Sequence, residues 1–320
     1  MSQQIAAGVA SASDEDLRAY KLARRVRLGR KLGRWLRVAV LIIGALVLSI
    51  PVLWMLSTSL KDASEVYRYP PDILPRNPVW YNYIEAFTYE NPWGTGNVGL
   101  SNLPMLLLFT KNTIQIALIC VIGSVFSNSL VAFGFSRLRF WGRDVLFAMM
   151  LATMMLPGQV TIIPIFVMFR SFGWLDTYYP LTVPSFFASA FYVFLFRQHI
   201  MTLPVEMDDA ARIDGCNSFA IFWRIILPLS RPIVTTIALF TFAGTWNDYF
   251  APLIYLNSFE KWTISLGLAN YTSVLGAGAQ VTPYHLLMAA ALVVSLPMIL
   301  IFLFFQGTFV RSIVLTGLKG

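Results

Sequence analysis

Long apolar segments separated by charged ones dominate this chain, and their lengths predict membrane-spanning helices. The six apolar segments lie at about 38–60, 112–136, 145–169, 177–199, 231–256 and 285–310. Crossing the ~30 Å hydrocarbon layer takes roughly 20 helical residues, and each segment is about that long. Transmembrane strands would be about half that length and would alternate in polarity, so the pattern predicts an all-α polytopic membrane protein with six transmembrane helices.

The composition excludes a water-soluble domain. Hydrophobic residues make up 57% of the 320 residues and charged residues only 12%, whereas soluble domains carry about 25% charged residues. The first apolar segment is longer than the core of a signal peptide and follows a polar tail, so it is expected to remain as a span. Cys120 and Cys216 are predicted to lie at different depths, so no disulfide is expected.

The distribution of Lys and Arg predicts the orientation. With a cytoplasmic N-terminus, eighteen of the 24 basic residues fall in inner segments and six in outer ones, which is the bias that cytoplasmic loops show. Both termini are therefore expected inside, as a basic tail (1–37) and a short C-terminal tail (311–320) flanking a transmembrane domain (38–310). The basic tail is typical of an interfacial helix on anionic lipid of the bilayer, and no nucleic acid partner is predicted.

Two outer connections have distinct compositions. Residues 61–111 are rich in proline and aromatic residues, which favours a folded outer cap over a disordered loop. Residues 257–284 contain Gly267, Gly276 and Gly278. That second stretch is interpreted as a moving gate or, alternatively, as a plain connector.

Patterns of enzymes and metal sites are missing or out of context. The sequence GTGNVG at 94–99 fits a dinucleotide-binding pattern, but it follows Asn-Pro-Trp instead of a strand and is interpreted as a turn. No G-x-x-x-x-G-K-[ST] loop occurs, and His199 and His285 are predicted at opposite membrane faces. We therefore predict no catalytic residue and no metal site, and the chain is not expected to be an enzyme.

The most informative segment is the inner connection between the fourth and fifth spans, within residues 200–230. Pro204 near a helix start, acidic residues in the first turns and Gly215 as terminator predict a short helix. Asn217 then caps a second helix that Pro228 is expected to close. The predicted unit is helix, glycine turn, helix at the cytoplasmic surface.

One face of the first helix suits a partner protein. Met207, Ala210, Ala211 and Asp214 recur at helical spacing and give small and apolar side chains flanked by charge. Alanine permits close approach of another surface, and charges at the rim can set its register. This face predicts docking of a partner, while packing of the loop on its own spans stays open as an alternative.

The same segment resembles the EAA loop of permease subunits in binding-protein-dependent ABC importers. The resemblance rests on Asp209-Ala210-Ala211, Gly215, Ile225 and Leu227-Pro228, with matching spacing throughout. The departure is Asp209, where the motif usually has Glu, and this change shortens the reach of the charge by one methylene.

Further segments are similar to the carbohydrate permeases of the maltose-importer type. These are MLPGQVTIIP at 155–164, TWNDYFAPL at 245–253 and the terminal GTFVRSIVLTGLKG. The resemblance covers roughly residues 38–320. It implies a type I ABC importer permease fold in the plasma (inner) membrane of a prokaryote.

The resemblance also implies a division of labour among subunits. Such a permease pairs with a homologous second permease, each EAA loop sits in a cleft of an ATPase dimer, and an extracytoplasmic binding protein delivers sugar. ATP and Mg would bind the ATPase, and this chain would bind no cofactor. The residues implied to contact the ATPase are Glu206, Asp208, Asp209, Ala210, Ala211, Arg212, Asp214 and Gly215. The C-terminal residues 317–320 resemble a family C-terminus that reaches the ATPase interface.

Polar residues inside predicted spans mark candidates for the substrate pathway. Trp246, Asn247 and Asp248 in the fifth span offer a stacking surface and hydrogen-bonding groups that suit a polyhydroxylated ligand. Their alternative role is a helix-packing hydrogen-bond cluster at the interface between the two paired permeases. In the third span Gln159 lies between Pro157 and Pro164, whose freed carbonyls are typical of a broken helix that lines a pathway or a hinge.

Three functional classes remain at this stage. The leading one is half of the pore of an ATP-driven sugar importer, with glycerol phosphates as alternative solutes. An ion-coupled secondary transporter would need inverted repeats and more charges near the midplane, which are not visible here. A membrane scaffold without substrate would leave the deep polar residues unexplained.

Overall fold

The computed structural model describes residues 33–88, 104–271 and 283–317, with side chains to residue 307. The described helices are α1 (Gly33–Ser59), α2 (Ala63–Val66), α3 (Tyr81–Thr88), α4 (Met105–Arg137), α5 (Arg143–Ala152), α6 (Gly158–Ser171), α7 (Tyr179–Thr182), α8 (Ala190–Met201), α9 (Glu206–Ile213), α10 (Ser218–Ile221), α11 (Leu227–Leu229), α12 (Arg231–Asn247), α13 (Phe250–Tyr255), α14 (Ile264–Ala269) and α15 (Tyr284–Gly317). Within these ranges no strand occurs, and the all-α prediction is confirmed.

The candidate spans number four, or up to six, which is compatible with the predicted six. Four stretches are long and apolar enough to cross a bilayer: α1, α4, Tyr179–Met201 and Tyr284–Gly307. Two bent helix pairs also pass the test of length and composition, with bends of 99° between Arg143–Met155 and Gly158–Ser171 and of 78° between Ser218–Leu229 and Arg231–Asn247. The second pair includes the inner connection at 218–229, whereas the predicted fifth span begins at 231. The chain divides into two compact units, Met1–Ser57 and Thr58–Gly320. Most of helix α1 belongs to the first unit.

The second span begins earlier than the hydrophobic pattern indicates. Helix α4 starts at Met105, whereas the charge-free segment starts at 112. Lys111 marks the start of the charge-free segment in the sequence. In the structure its side chain is exposed on the helix surface, and the residue does not interrupt α4. A single charge near a helix end is tolerated because a long side chain can reach the interface.

The sharp break in the third span lies at Pro157. Leu156 and Pro157 both have extended backbone, with ψ of 119° and 128°. A proline disfavours helical geometry in the residue before it, and its missing N–H cannot continue the ladder. Pro164, by contrast, lies inside α6 without ending it.

Helix α4 is the centre of the Thr58–Gly320 unit and packs mainly on α12 and α8. It contributes to a buried cluster at each end, with Phe109 in one and Phe133 in the other. Because lipid tails are as apolar as leucine, close packing and hydrogen bonds associate such helices more than removal from water does. The fourth span gives an example of such a hydrogen bond, because its backbone leaves the helix just before α8. There the Asn128 side chain on α4 accepts a hydrogen bond from the Ser189 backbone N–H at 2.7 Å.

The described part of the predicted outer cap contains α2, α3 and hydrogen bonds that connect α3 to the end of α1, while α4 already begins at Met105 within the predicted range 61–111. The Asn82 amide donates to the carbonyls of Ser59 and Lys61 at 2.9 and 2.8 Å, and the Lys61 ammonium donates to the Asp72 carbonyl at 2.6 Å. Lys61 and Asn82 are both almost fully buried. The GTGNVG segment at 94–99 lies outside the described residues.

The second outer connection is firmly attached up to Tyr271. Asp176 accepts hydrogen bonds from the backbone N–H groups of Asn257 and Ser258 and from the Lys261 ammonium. We call these four residues the Asp176 cluster. Both interpretations of this connection, a moving gate and a plain connector, stay predictions; Gly276 and Gly278 lie outside the described residues.

Candidate functional site

The helix α9 forms as its start and stop signals predict. It spans eight residues, with Glu206, Asp208 and Asp209 in the first turn, where negative charge stabilises the positive end of the helix dipole. At its end Gly215 has φ of +83°. The Gly215 N–H bonds the Arg212 carbonyl at 3.0 Å and the Cys216 N–H bonds the Ala211 carbonyl at 2.9 Å, which is a Schellman motif.

The second helix of the unit is capped as predicted but ends later. The Asn217 side chain accepts from the Ala220 N–H at 2.8 Å. The helical course continues through a π-helical segment, Phe222–Ile226, to Leu229 before it bends toward α12. The prediction that Pro228 closes the helix is wrong by one residue, because Pro228 lies in the first turn of α11, where its missing N–H is tolerated.

The eight residues implied to contact an ATPase divide into two sets. Those with exposed positions are Glu206, Asp209, Ala210, Arg212, Asp214 and Gly215. Asp208 and Ala211 are buried within this chain, at 1% and 6% exposure. Their side chains are therefore corrected from docking surface to internal contacts, while contact of the exposed set with an ATPase stays a prediction.

The exposed part of the unit is also apolar in places. Ile213 is 87% exposed, and the rings of Phe219 and Trp223 are exposed and stacked on each other. Asp209 and Arg212 form an exposed ion pair at 3.5 Å. We call Met207, Ala210, Ile213, Phe219 and Trp223, with the Asp209 and Arg212 charges, the α9 surface.

The residue that sequence reasoning missed is Arg137, the last residue of α4. Its Nε lies 2.9 Å from Oδ2 of Asp208, and both side chains are buried. Its Nη2 also donates to the Leu203 carbonyl at 2.8 Å. In the sequence Arg137 is only one of many inner basic residues, and no local signal pairs it with one aspartate of a distant loop.

Burial raises the pKa of Asp208 above its ordinary value, and the nearby guanidinium of Arg137 acts against that rise. Because the net pKa shift is upward, the ion pair offsets only part of the desolvation cost of the ionised carboxylate. Arg137 and Asp208 tie α9 to the end of α4.

The three pathway candidates of the fifth span have different environments in the structure. Trp246 is 3% exposed, stacks on Phe242 and donates its indole N–H to the Val294 carbonyl at 3.2 Å. In this conformation it is packing core and offers no stacking surface to a ligand. Trp246 therefore packs within this chain and not at an interface between two permeases, which was the alternative role.

Asn247 and Asp248 mark a break in that span. Helix α12 ends at Asn247, and the Asp248 carboxylate accepts from the backbone N–H groups of Phe250 and Ala251 at 3.1 and 3.2 Å. A carboxylate that satisfies freed N–H groups explains how an acidic residue is tolerated there. Asn247 is exposed, and its amide donates to the Ala243 carbonyl.

Gln159 is exposed in the first turn of α6, directly after the 99° break. That position is compatible with the predicted role in a pathway or a hinge, and the role stays a prediction. Among the described residues, no three His, Cys, Asp or Glu side chains come together as a metal site.

These features define a class: a polytopic, all-helical membrane protein with a short exposed helix-turn-helix unit attached to the C-terminal end of its central helix, α4. Comparison with known proteins gives the family. Residues 124–315 match the family model described as binding-protein-dependent transport system inner membrane component. The chain belongs to this family.

Relatives match over most of their length. The arabinooligosaccharides transport system permease protein AraQ of Bacillus subtilis (strain 168) is 31% identical over 84% of this chain and 90% of its own. The sn-glycerol-3-phosphate transport system permease protein UgpE of Yersinia pestis bv. Antiqua (strain Antiqua) is 32% identical over 86% and 93%.

A solved structure shares the fold. One chain of a bacterial ABC transporter involved in the import of the acidic polysaccharide alginate superposes with a TM-score of 0.74. The alignment covers 87% of this chain and 96% of that chain at 22% identity. The predicted type I importer permease fold is confirmed.

Proposed function

We propose that this chain is one membrane-spanning subunit of an ATP-driven sugar importer and that the α9 surface docks on a separate ATPase subunit. ATP and Mg would bind that ATPase, and this chain would transmit its movement. The observation that carries the proposal is the α9 surface itself: apolar and charged side chains stay exposed on a helix that is rigidly tied to the spans by Asp208 and Ala211.

The exposed chemistry of this surface suits a protein partner. The helix-turn-helix unit exposes aromatic and branched side chains as well as a charged pair, and protein interfaces combine these two kinds of side chain in an apolar centre and a polar rim. Ala210 adds a small side chain that allows the backbone of α9 to approach its partner closely. A helix that packed only on its own spans would bury these side chains.

The remaining partners follow from family membership and orientation. Two homologous permease subunits would form the pathway, and an extracytoplasmic binding protein would deliver the solute to the outer face. The basic bias of the inner segments supports cytoplasmic termini and a cytoplasmic position of the α9 surface.

The substrate class is proposed from the relatives. AraQ is named for arabinooligosaccharides and the structural neighbour for alginate, so we propose a sugar or oligosaccharide. UgpE, at 32% identity, is named for sn-glycerol-3-phosphate and supports a glycerol phosphate as the second candidate. A polar Asn247 and Gln159 on exposed positions of broken spans would offer hydrogen bonds to either class.

Co-purification tests the assembly. The chain, tagged and extracted in mild detergent from its native membrane, is expected to bring down an ATPase and a second permease in stable ratio. Purification of the chain alone, with solute uptake driven by an ion gradient, would contradict the proposal and favour a secondary transporter.

Binding on the partner receptor tests the substrate class. The extracytoplasmic binding protein is titrated with a panel of arabinose, maltose and uronic acid oligosaccharides and with sn-glycerol-3-phosphate. Binding of one oligosaccharide class supports the leading assignment, and selective binding of glycerol phosphate supports the second.

A further inference from the structure

A single guanidinium joins the central helix to the predicted docking unit. Arg137 contacts the Leu203 carbonyl before α9 and the Asp208 carboxylate in its first turn, at 2.8 and 2.9 Å. The side chains of Arg137 and Asp208 are only 6% and 2% exposed. These contacts, together with the burial of Ala211 in the cluster that contains Phe133, hold α9 against the end of α4.

A buried ion pair is a poor means of stabilisation. Two charges lose their hydration, and apolar side chains of similar volume often hold buried elements together equally well. Among the described residues neither Oδ1 of Asp208 nor Nε of Arg137 has a hydrogen-bond partner of good geometry, so the 2.9 Å contact is an ion pair and not a hydrogen bond. What a buried ion pair supplies is specificity, because its two charges must face each other, whereas apolar contacts are interchangeable.

The other ion pair of α9 has a different character. Asp209 and Arg212 are about half exposed, lie on one helix and make a contact of 3.5 Å. Such a pair contributes little to internal geometry. Asp208 is the acidic residue of the unit that turns inward.

Helix α4 carries the attachment to the outer face. Its 33 residues span roughly 50 Å at 1.5 Å per residue. Near its outer end Asn112 donates to the carbonyls of Glu260 and Trp262 at 2.7 and 3.0 Å. The Thr113 hydroxyl accepts from the Ile264 N–H at 2.8 Å.

We propose that Arg137 and Asp208 are positioning residues that make α9 and α4 move together, so that displacement of α9 at the inner face reaches the outer connection at 257–264. This inference rests on the proposed function, because it assumes that an ATPase displaces α9. Through Asn112 and Thr113, the same helix then moves the segment that carries the Asp176 cluster.

The test uses the complete complex in lipid nanodiscs, where nucleotide and label reach both faces. Asn257, exposed in the outer connection, is replaced by cysteine (Asn257→Cys) in a background where Cys120 and Cys216 are alanine. The rate of labelling by a polar maleimide is measured with and without ATP-Mg, beside the rate of ATP turnover. With Arg137 and Asp208 intact, ATP-Mg is expected to change the labelling rate at least about threefold, a typical size for a coupling effect.

The decisive variant is Arg137→Met with Asp208→Leu, which removes both charges and leaves no buried charge unpaired. It is expected to assemble and hydrolyse ATP while the labelling rate no longer responds to ATP-Mg. A merely structural pair would lower turnover and labelling response together. A response equal to that of the intact pair would overturn the proposal.

The control is Arg143→Met with Asp144→Leu, an ion pair at the same inner face whose carboxylate is 78% exposed. Its labelling response is expected to be unchanged.

If the decisive variant does not assemble, Arg137→Lys with Asp208→Glu keeps the charges but alters the geometry. That variant should fold and show a reduced response, and a full response would contradict the inference.

The experiment distinguishes a failure of the importer assignment from a failure of the positioning role. A complex without an ATPase, or without ATP turnover in the unaltered chain, refutes the importer assignment. Normal turnover with no ATP-dependent labelling at Asn257→Cys refutes the positioning role alone.

Discussion

Gly215 ends α9 in a backbone conformation that few residues adopt. Its φ of +83° lies in the left-handed region, and no neighbouring atom stands within 4 Å of where a Cβ would be. The requirement for glycine is therefore one of backbone conformation and not of space. This distinction makes substitutions at 215 informative.

Replacing Gly215 by valine should strain the turn by about 1–3 kcal/mol and misplace the α9 surface. Asparagine tolerates the left-handed region, so Gly215→Asn is the matched control. We expect Gly215→Val to insert normally but to lose most ATP-driven uptake and its link to ATP turnover, and Gly215→Asn to retain both. Unchanged ATP-driven uptake in Gly215→Val would falsify the coupling role of this turn.

Asp176 is a second residue whose environment predicts a measurable effect. Burial acts to raise its pKa, but hydrogen bonds from Ser258, Lys261 and Asn257 together hold the pKa well below the ordinary value. A carboxyl with a depressed folded pKa stabilises the protein above its unfolded value and loses that stabilisation as pH falls through the folded value. The contribution is therefore full at neutral pH and declines only below about pH 4.

Asp176→Asn should lower the thermal midpoint at pH 7, because charge-assisted hydrogen bonds are worth about 1.5–3 kcal/mol each. The difference from the unaltered chain should stay constant between pH 5 and 8 and shrink on further acidification. Thermal unfolding in detergent at a series of pH values measures it. Asp144→Asn, at an exposed site, serves as control; an equal effect there would contradict this account.

At the scale of elements, close packing of helices replaces the hydrophobic effect. Gly267 on α14 lies so near the ring of Phe109 on α4 that an added Cβ would overlap it. Glycine here permits approach of two helices, which is how small residues act in membrane proteins. The close approach of α14 and α4 therefore accounts for this glycine, one of three in the connection at 257–284.

Gly267→Ala should therefore destabilise the packing of α14 on α4 by about 1–3 kcal/mol, the usual cost of overpacking. Gly244→Ala on α12 is the matched control, because nothing lies within 4 Å of its Cβ position. We expect a lower thermal midpoint only for Gly267→Ala. Equal midpoints for the two variants would show that α4 and α14 are less tightly packed than described.

Hydrophobic length was sufficient to predict the spans, and capping signals were sufficient to predict α9 and the start of α10. Both are local properties, since a helix needs about 20 apolar residues to cross and Asn217 caps its own helix. Extension of α4 through Lys111 was missed because a charge count ignores side chains that reach the interface.

Contacts between distant segments could not be predicted. The pairing of Arg137 with Asp208 depends on where α4 ends in space, and several inner arginines were equally available in the sequence. Likewise, Trp246 looked like a ligand-stacking residue because its polar neighbours are visible in sequence, whereas its burial against Phe242 is not. Exposure of each residue in a helix is decided by its packing partners.

At the scale of the whole molecule, the family and the shared fold make the chain a transport subunit, and the α9 surface specifies how it would receive energy. The basic bias of the segments predicted to be inner favours the orientation in which a cytoplasmic ATPase would reach that surface. A secondary transporter would need no such exposed helix, and family membership argues against that class.

Site-specific photo-cross-linking at the α9 surface tests the central claim most directly. A benzophenone amino acid replaces Ile213, 87% exposed, or, as control, Trp80 in the outer cap, 68% exposed. We predict that the probe at 213 cross-links to an ATPase subunit and that the probe at 80 does not. Cross-linking of residue 213 to an extracytoplasmic protein, or its labelling only from outside, would contradict the account.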